Sequence, residues 1–283
     1  MNLKDYFPEV REGAFPLTDP EWISIEDGGR YWHFPKTDLS EKEALLLTLG
    51  RSALSDASRS VSLWERYLIR RQGNQPEVLE RYQFLYLNHQ EPLSDDLIAF
   101  LTSLLPEVSA VLPMSQTRTA FLLGQADAVE LLSLLRPILP TIESDFGLAL
   151  TIFVGNTWSQ LVGAALRDIF EAENQLFSAY LTQKSSGRLL TFSEVMLWSL
   201  VVGEGASVLS QTIGQFLQSN AEMASLVRTL WQEQGNLVQT AQRLYIHRNS
   251  LQYKIEKFAH QTGLHVKTLD HLAVAYLVML KGS

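Results

Sequence analysis

The residues with most chemistry to offer are crowded into one stretch near the C-terminus: Arg248, Asn249, Ser250, Gln252, Tyr253, Lys254 and Lys257. A guanidinium can pair with guanine O6 and N7, an Asn or Gln amide matches the adenine edge, and hydroxyl, ammonium and helix N-terminal amide groups hold phosphate oxygens. Such a set suits duplex nucleic acid. Its spacing predicts a helix from near Asn249 to Thr262, stopped by Gly263, with Leu251, Ile255, Phe258 and Ala259 as the buried stripe and the polar set on the other face.

Two further helices must position that one. Ala221 to Gln234 carries Met223, Leu226, Val227 and Leu230 on one face, and Gly235 stands at its C-cap. Asn236 opens a helix of about two turns, with Gln239 at the capping-box position and Leu237, Ala241 and Leu244 sharing a face at i, i+4 and i+7. Tyr245-Ile246-His247 then joins it to the polar helix. Small Ala241 allows close packing, and the whole reads as a helix-turn-helix whose second helix offers its N-terminal end to a major groove. Arg243 and His247 flank that end; His247 suits capping the helix and touching DNA equally well.

Charge agrees, once counted by region. The net charge of −8 for the 283 residues argues against an anionic partner. From Ser225 to Ser283, however, seven basic residues face three acidic ones, a balance of +4 that leaves −12 for the remainder. An acidic total conceals a basic tail.

The residues themselves carry a resemblance. Gly235-Asn236, Thr240-Ala241, Leu244, His247-Arg248-Asn249-Ser250-Leu251, Tyr253-Lys254-Ile255 and Thr262-Gly263-Leu264 resemble the C-terminal DNA-binding domain of the PucR/CdaR family of bacterial transcriptional regulators. Ser250 and Lys254 depart conservatively from the family's Thr and Arg. Lys lacks the bidentate fork, which suits Lys254 to phosphate more than to base. Upstream, Gly147 to Val154, Gly155, Leu161 and Phe170-Glu171-Ala172 resemble the end of the GGDEF-like domain of that family. The cyclase signature is missing, because the relevant hairpin connection reads Pro113-Met114-Ser115-Gln116.

Pattern alone organises the rest. Glu21 to Ile25 and Arg30 to Phe34 read as strands around Glu26-Asp27-Gly28-Gly29, a hairpin turn. Ser40 with Glu43 forms a capping box ahead of a helix that continues in pieces to about Arg71. Then follow strand Tyr82 to Leu87, helix Ser94 to Leu105, strands Val108 to Leu112 and Thr117 to Leu123, helix Ala126 to Leu139, strand Leu148 to Val154 and helix Trp158 to Leu181. This β-α-β-β-α-β-α order implies one sheet of the split βαβ type. Lys184 to Arg188 is a polar linker, Thr191 caps a helix to Val202, and Gly203-Glu204-Gly205 separates it from a segment ending at Phe216.

The expected fold is therefore α+β and helix-dominated, with an N-terminal hairpin and helical region (1–75), a degenerate GGDEF-like α/β domain (76–182), a helical linker (183–218) and an all-α helix-turn-helix domain (219–283). The expected function is sequence-specific binding of double-stranded DNA by a homodimer in transcription regulation, with upstream domains for dimerisation and an effector of unspecified identity. Base edges would be met by Arg248, Asn249, Gln252 and Tyr253, and phosphates by Asn236, Gln239, Ser250, Lys254 and Lys257, with Arg243 and His247 beside them. A helical protein-interaction module without DNA binding is the alternative, and an enzyme housed in 76–182 is a third reading.

Other chemistries find little support. There is no Cys, which excludes thiolate nucleophiles and thiolate metal sites, and no P-loop, dinucleotide fingerprint or nucleophile elbow. His33 and His89 are isolated and read as surface or strand residues, while acid pairs such as Glu171 with Glu173 are expected on solvated helix faces. Trp22, Tyr31, Trp32 and Phe34 could line a ligand pocket or a dimer contact, although packing of a small hairpin against a helix suits them better. No metal, cofactor, catalysis or membrane span is expected, and the N-terminus lacks a leader pattern, which points to the cytoplasm.

Overall fold

The computed structural model describes residues 6–17, 19, 21–27, 30–50, 61–124, 128–184, 188–203 and 205–281. Near the N-terminus, strands β1 (Arg11–Gly13), β2 (Trp22–Asp27) and β3 (Arg30–Pro35) form an antiparallel sheet in the order β1-β3-β2. Glu26 and Asp27, read from sequence as part of the turn, belong to β2 and pair with Tyr31 and Arg30; Gly28 and Gly29 lie outside the described residues. Tyr31 and Phe34 are buried from this hairpin, and the Tyr31 hydroxyl donates to the Met114 carbonyl at 3.0 Å. His33 is a strand residue, on β3, and is buried, its Nδ1 2.9 Å from the Ser24 hydroxyl.

Helix α1 (Glu41–Gly50) starts from the capping box expected there: the Ser40 amide donates to Glu43 Oε2 at 2.9 Å, and the Glu43 amide donates to Ser40 Oγ at 3.3 Å. The expected continuation through 51–60 lies outside the described residues, and α2 (Leu63–Leu68) follows.

The central sheet contains β4 (Arg81–Asn88), β5 (Val108–Pro113), β6 (Arg118–Leu123), β7 (Thr151–Ser159) and β8 (Leu189–Thr191), in the order β5-β6-β4-β7-β8. With α3 (Asp95–Leu104) and α4 (Ala128–Phe146) as crossovers, each β-α-β pair is split by an antiparallel strand, the arrangement expected from sequence. Side-chain alternation gives the sheet two cores. Leu85, Leu87, Phe121, Leu123, Ile152 and Val154 face α3 and α4, while Phe84, Tyr86, Leu122 and Phe153 face α5 (Ala164–Gln183). Phe170 of α5 sits among Phe15, Phe84 and Tyr86, with ring centroids 5.4, 4.8 and 5.8 Å away.

Several boundaries differ from the sequence reading. Helix α4 runs on past Leu139 to Phe146 through both Pro137 and Pro140, because Leu131, Leu135, Leu139 and Ile142 keep one buried stripe that outweighs the lost amide donors. Strand β7 begins at Thr151 and extends to Ser159, so Trp158 belongs to a strand and α5 starts six residues later, at Ala164. Strand β8, parallel to β7, was unexpected; three residues are too few to show periodicity. Beyond it lie α6 (Phe192–Val202), capped by Thr191, and α7 (Ser207–Ser219). No single described helix is long and apolar enough to cross a membrane.

Two polar residues of the body also differ from expectation. Glu173 is fully buried, not solvated, and His89 is buried with its Nε2 3.0 Å from the Thr119 hydroxyl. Burial lowers the His89 pKa to about 4, so the ring is neutral at ordinary pH.

Candidate nucleic-acid interface

The C-terminal elements are α8 (Ala221–Gln232), α9 (Leu237–Arg243), α10 (Arg248–Thr262) and α11 (Leu269–Lys281). Each of the first three starts on a side-chain cap. Asn220 Oδ1 accepts from the Met223 amide at 3.2 Å, Asn236 Oδ1 from the Val238 and Gln239 amides at 3.1 and 3.2 Å, and His247 Nδ1 from the Asn249 amide at 3.2 Å. The Asn236 amide donates to the Glu233 carbonyl at 2.9 Å instead of closing a reciprocal box, and Gln239 is exposed. At the end of α8, Gln234 takes the left-handed position with φ +53°, one residue before Gly235 at φ +76°.

The apolar side of this unit is sealed. Leu251, Ile255 and Phe258 of α10 are buried together with Leu226, Leu230 and Ala241, and Ala259 is half-buried. Helix α11 completes the packing with Leu272, Ala275 and Val278, making a fourth helix beyond the three read from sequence. It also packs on α6 and α7, which joins the unit to the body of the protein.

The opposite side of α10 is open. Arg248, Asn249, Ser250, Tyr253 and Lys257 are exposed, as are Asn236, Arg243 and His247 nearby, while Gln252 and Lys254 are half-buried. Not all of the charge is unengaged. Lys254 Nζ pairs with Glu222, whose carboxyl it holds below the ordinary range, first through the hydrogen bond and then through its charge. Arg243 pairs with Glu233 at 2.5 Å, and the Gln252 amide donates to Glu256 one turn along. Glu222 and Glu233 are thus partners of the basic set that spacing alone did not reveal.

The far end of α10 is fixed to the sheet. Asn156 of β7 donates through Nδ2 to the Thr262 carbonyl at 2.8 Å, and the Ser159 hydroxyl donates to the His260 carbonyl at 2.7 Å. Gly263 stops the helix at φ +73°, where an added Cβ would lie 2.3 Å from Asn156 Oδ1. Beneath this contact Glu173 Oε1 accepts from the Asn156 amide at 2.9 Å and from Trp158 Nε1 at 2.8 Å. Burial raises the Glu173 pKa to about 8 against the pull of those two donors, so its carboxyl is protonated at neutral pH. The polar helix is therefore anchored at its C-terminus and uncovered at its N-terminus.

Comparison with known proteins bears on this unit directly. Residues 223–280 match the model of the PucR C-terminal helix-turn-helix domain. Over 281 residues the chain is 54% identical to the "Leucine-rich protein" of Streptococcus dysgalactiae subsp. equisimilis, covering 99% of this chain and 100% of that one. The chain belongs to the family of that streptococcal protein, and it carries a PucR C-terminal helix-turn-helix domain. It is also 23% identical over 282 residues to the "Uncharacterized protein YxkF" of Bacillus subtilis (strain 168), spanning 96% of this chain and 92% of that one. Among solved structures, a regulator of polyketide synthase expression from Bifidobacterium adolescentis aligns at 15% identity over 71% of this chain and 80% of its own, with a TM-score of 0.35. Within the PucR-type domain, α9 and α10 are the helix pair and Leu244 to His247 their connection.

Proposed function

We propose that this chain regulates transcription by sequence-specific binding of double-stranded DNA, with α10 lying in the major groove. The observation that carries the reading is the uncovered face of α10, which leaves Arg248, Asn249, Ser250 and Tyr253 of its first turns and Lys257 beyond them exposed. In this reading Arg248, Asn249, Gln252 and Tyr253 meet base edges. Asn236, Gln239, Ser250, Lys254 and Lys257 hold phosphates, with Arg243 and His247 at the margin. Lys254 is then shared between Glu222 and the duplex, or exchanges one for the other.

One such helix covers only a few base pairs, so specificity needs two copies on half-sites about one helical turn apart. We assign the PucR-type unit to residues 219–283 and regard 183–218 as a helical linker, which lends β8 to the sheet of a GGDEF-like domain over 76–182, with 1–75 as a hairpin and helical region packed on that domain. The split βαβ order supports the GGDEF-like assignment, and Pro113 to Gln116, without the metal-holding signature, supports a non-enzymatic role in dimerisation and effector sensing.

Selection of bound fragments from a genomic pool by the purified full-length chain tests the proposal. The expected outcome is enrichment of an inverted repeat whose halves are separated by about one turn of duplex. Absence of enrichment, together with no retardation of any duplex at low ionic strength, would contradict it.

A further inference from the structure

Helix α9 ends in a motif that normally asks for glycine. The Tyr245 amide donates to the Gln242 carbonyl at 3.1 Å and the Ile246 amide to the Ala241 carbonyl at 3.0 Å, the paired bonds of a Schellman C-cap. The residue at the left-handed position of this cap is Tyr245, at φ +55°. A bulky side chain there is an outlier, since its Cβ crowds the backbone where Gly would not and Asn would do so less. Packing supplies no compensation, because Tyr245 is 96% exposed. Neither the local backbone nor the core therefore accounts for an aromatic residue at this place.

Position does. Two residues after Tyr245 comes His247, the N-cap of α10, and then Arg248, Asn249 and Ser250, all exposed. A side chain on the turn immediately before a groove-entering helix lies beside the sugar-phosphate strand that borders the groove. Tyrosine suits that strand, with a hydroxyl that donates to a phosphate oxygen and a ring that covers the adjoining sugar. Strain held at an exposed turn, with no return in folding, is what a binding contact would offset.

We infer that Tyr245 is a DNA-backbone contact, its hydroxyl donating to a phosphate at the edge of the groove entered by α10. The inference rests on the proposed function and adds to it a residue outside the polar helix. A phosphate contact is indifferent to sequence, so the test needs no knowledge of the operator.

The experiment compares wild type, Tyr245→Asn, Tyr245→Phe and Arg248→Ala, all full length. Each is measured for thermal unfolding, for size in solution, and for affinity to a mixed-sequence duplex of about 30 base pairs, roughly three helical turns, at low ionic strength. Tyr245→Asn is expected to raise the unfolding midpoint, because Asn tolerates the left-handed region, and to lower affinity about fivefold. Tyr245→Phe keeps the ring and the strain, so its midpoint should not move while its affinity falls by a similar factor. Stability and binding moving in opposite directions in the Asn variant is a result that a structural role for the residue would not produce.

Unchanged affinity in both Tyr245 variants, with wild type binding duplex and Arg248→Ala impaired, would overturn this inference and leave the regulator reading standing. A lowered midpoint for Tyr245→Asn would remove the strain argument and overturn it as well. A change of oligomeric size without a change of affinity would place Tyr245 in a contact between copies and likewise refute it. If wild type itself ignores duplex, the underlying proposal fails first.

Discussion

Helices α5 and α10 are both long and amphipathic, yet they use their polar residues in opposite ways. In α5 the polar positions Glu173, Asn174 and Ser178 are buried, and they hold other buried groups: Trp158 Nε1, the Asn156 amide and the Arg118 guanidinium. In α10 only Leu251, Ile255, Phe258 and Thr262 are buried, and the polar residues of its first half have no core to serve. Polar groups inside a core must be satisfied and so are structural; polar groups left outside at this density are available to a partner. Substitutions in α5 should therefore register in stability, and those in the first half of α10 in binding.

The largest effect expected is at Phe170, whose ring stacks on Phe15 and Tyr86 and lies tilted against Phe84. Phe170→Ala should cost about 3–5 kcal/mol of folding free energy by chemical denaturation. Arg248→Ala inverts the pattern, weakening specific DNA binding by about 1–3 kcal/mol and relaxing base preference, with stability changed by less than about 0.5 kcal/mol. A measurable loss of fold in that variant would blur the contrast between the helices.

Glu173 gives the comparison a pH dependence. Its folded pKa of about 8 stands above the ordinary 4.5, so between those values the folded chain keeps a proton that the unfolded chain has released. This group's contribution to stability is then greatest at low pH and declines as pH rises through that interval. Unfolding midpoints of wild type and Glu173→Gln, compared from pH 5.5 to 8.5 (roughly the window set by that shift), should diverge, with the decline smaller in the variant. Parallel profiles would mean that the buried carboxyl does not titrate there. The smallest effect is expected at exposed Lys257, where Lys257→Ala should weaken binding to all duplexes alike and reduce the salt slope by about one.

Sequence was most legible where a local rule decides the structure. The capping box at Ser40 and Glu43, the hairpin of β2 and β3 (though not its register) and the Asn236 cap are each set by a few adjacent residues. The βαββαβ order followed from changes in apolar period. What escaped was decided at a distance. Trp158 looks helical beside the α5 pattern, but its indole reaches Glu173 from the end of β7. Pro140 looks like a helix end until the buried stripe on either side of it is seen. Glu173 looks like a solvated acid because no sequence rule announces that Gly155 opposite it leaves room for a carboxyl; a Cβ on Gly155 would lie 2.4 Å from Glu173 Oε2. The exposed polar residues of α10 were legible in kind and face, whereas the Lys254 and Arg243 ion pairs depend on how α8 lies across the unit.

The central claim is that the uncovered face of α10 binds duplex DNA, and its most direct test is the affinity of the full-length chain for duplex measured across ionic strength. The account expects tight binding at low salt, with the logarithm of the association constant falling linearly against the logarithm of salt concentration as phosphate counterions are released. No binding at the lowest salt, or an affinity unmoved when Arg248 and Lys257 are both replaced by Ala, would contradict it.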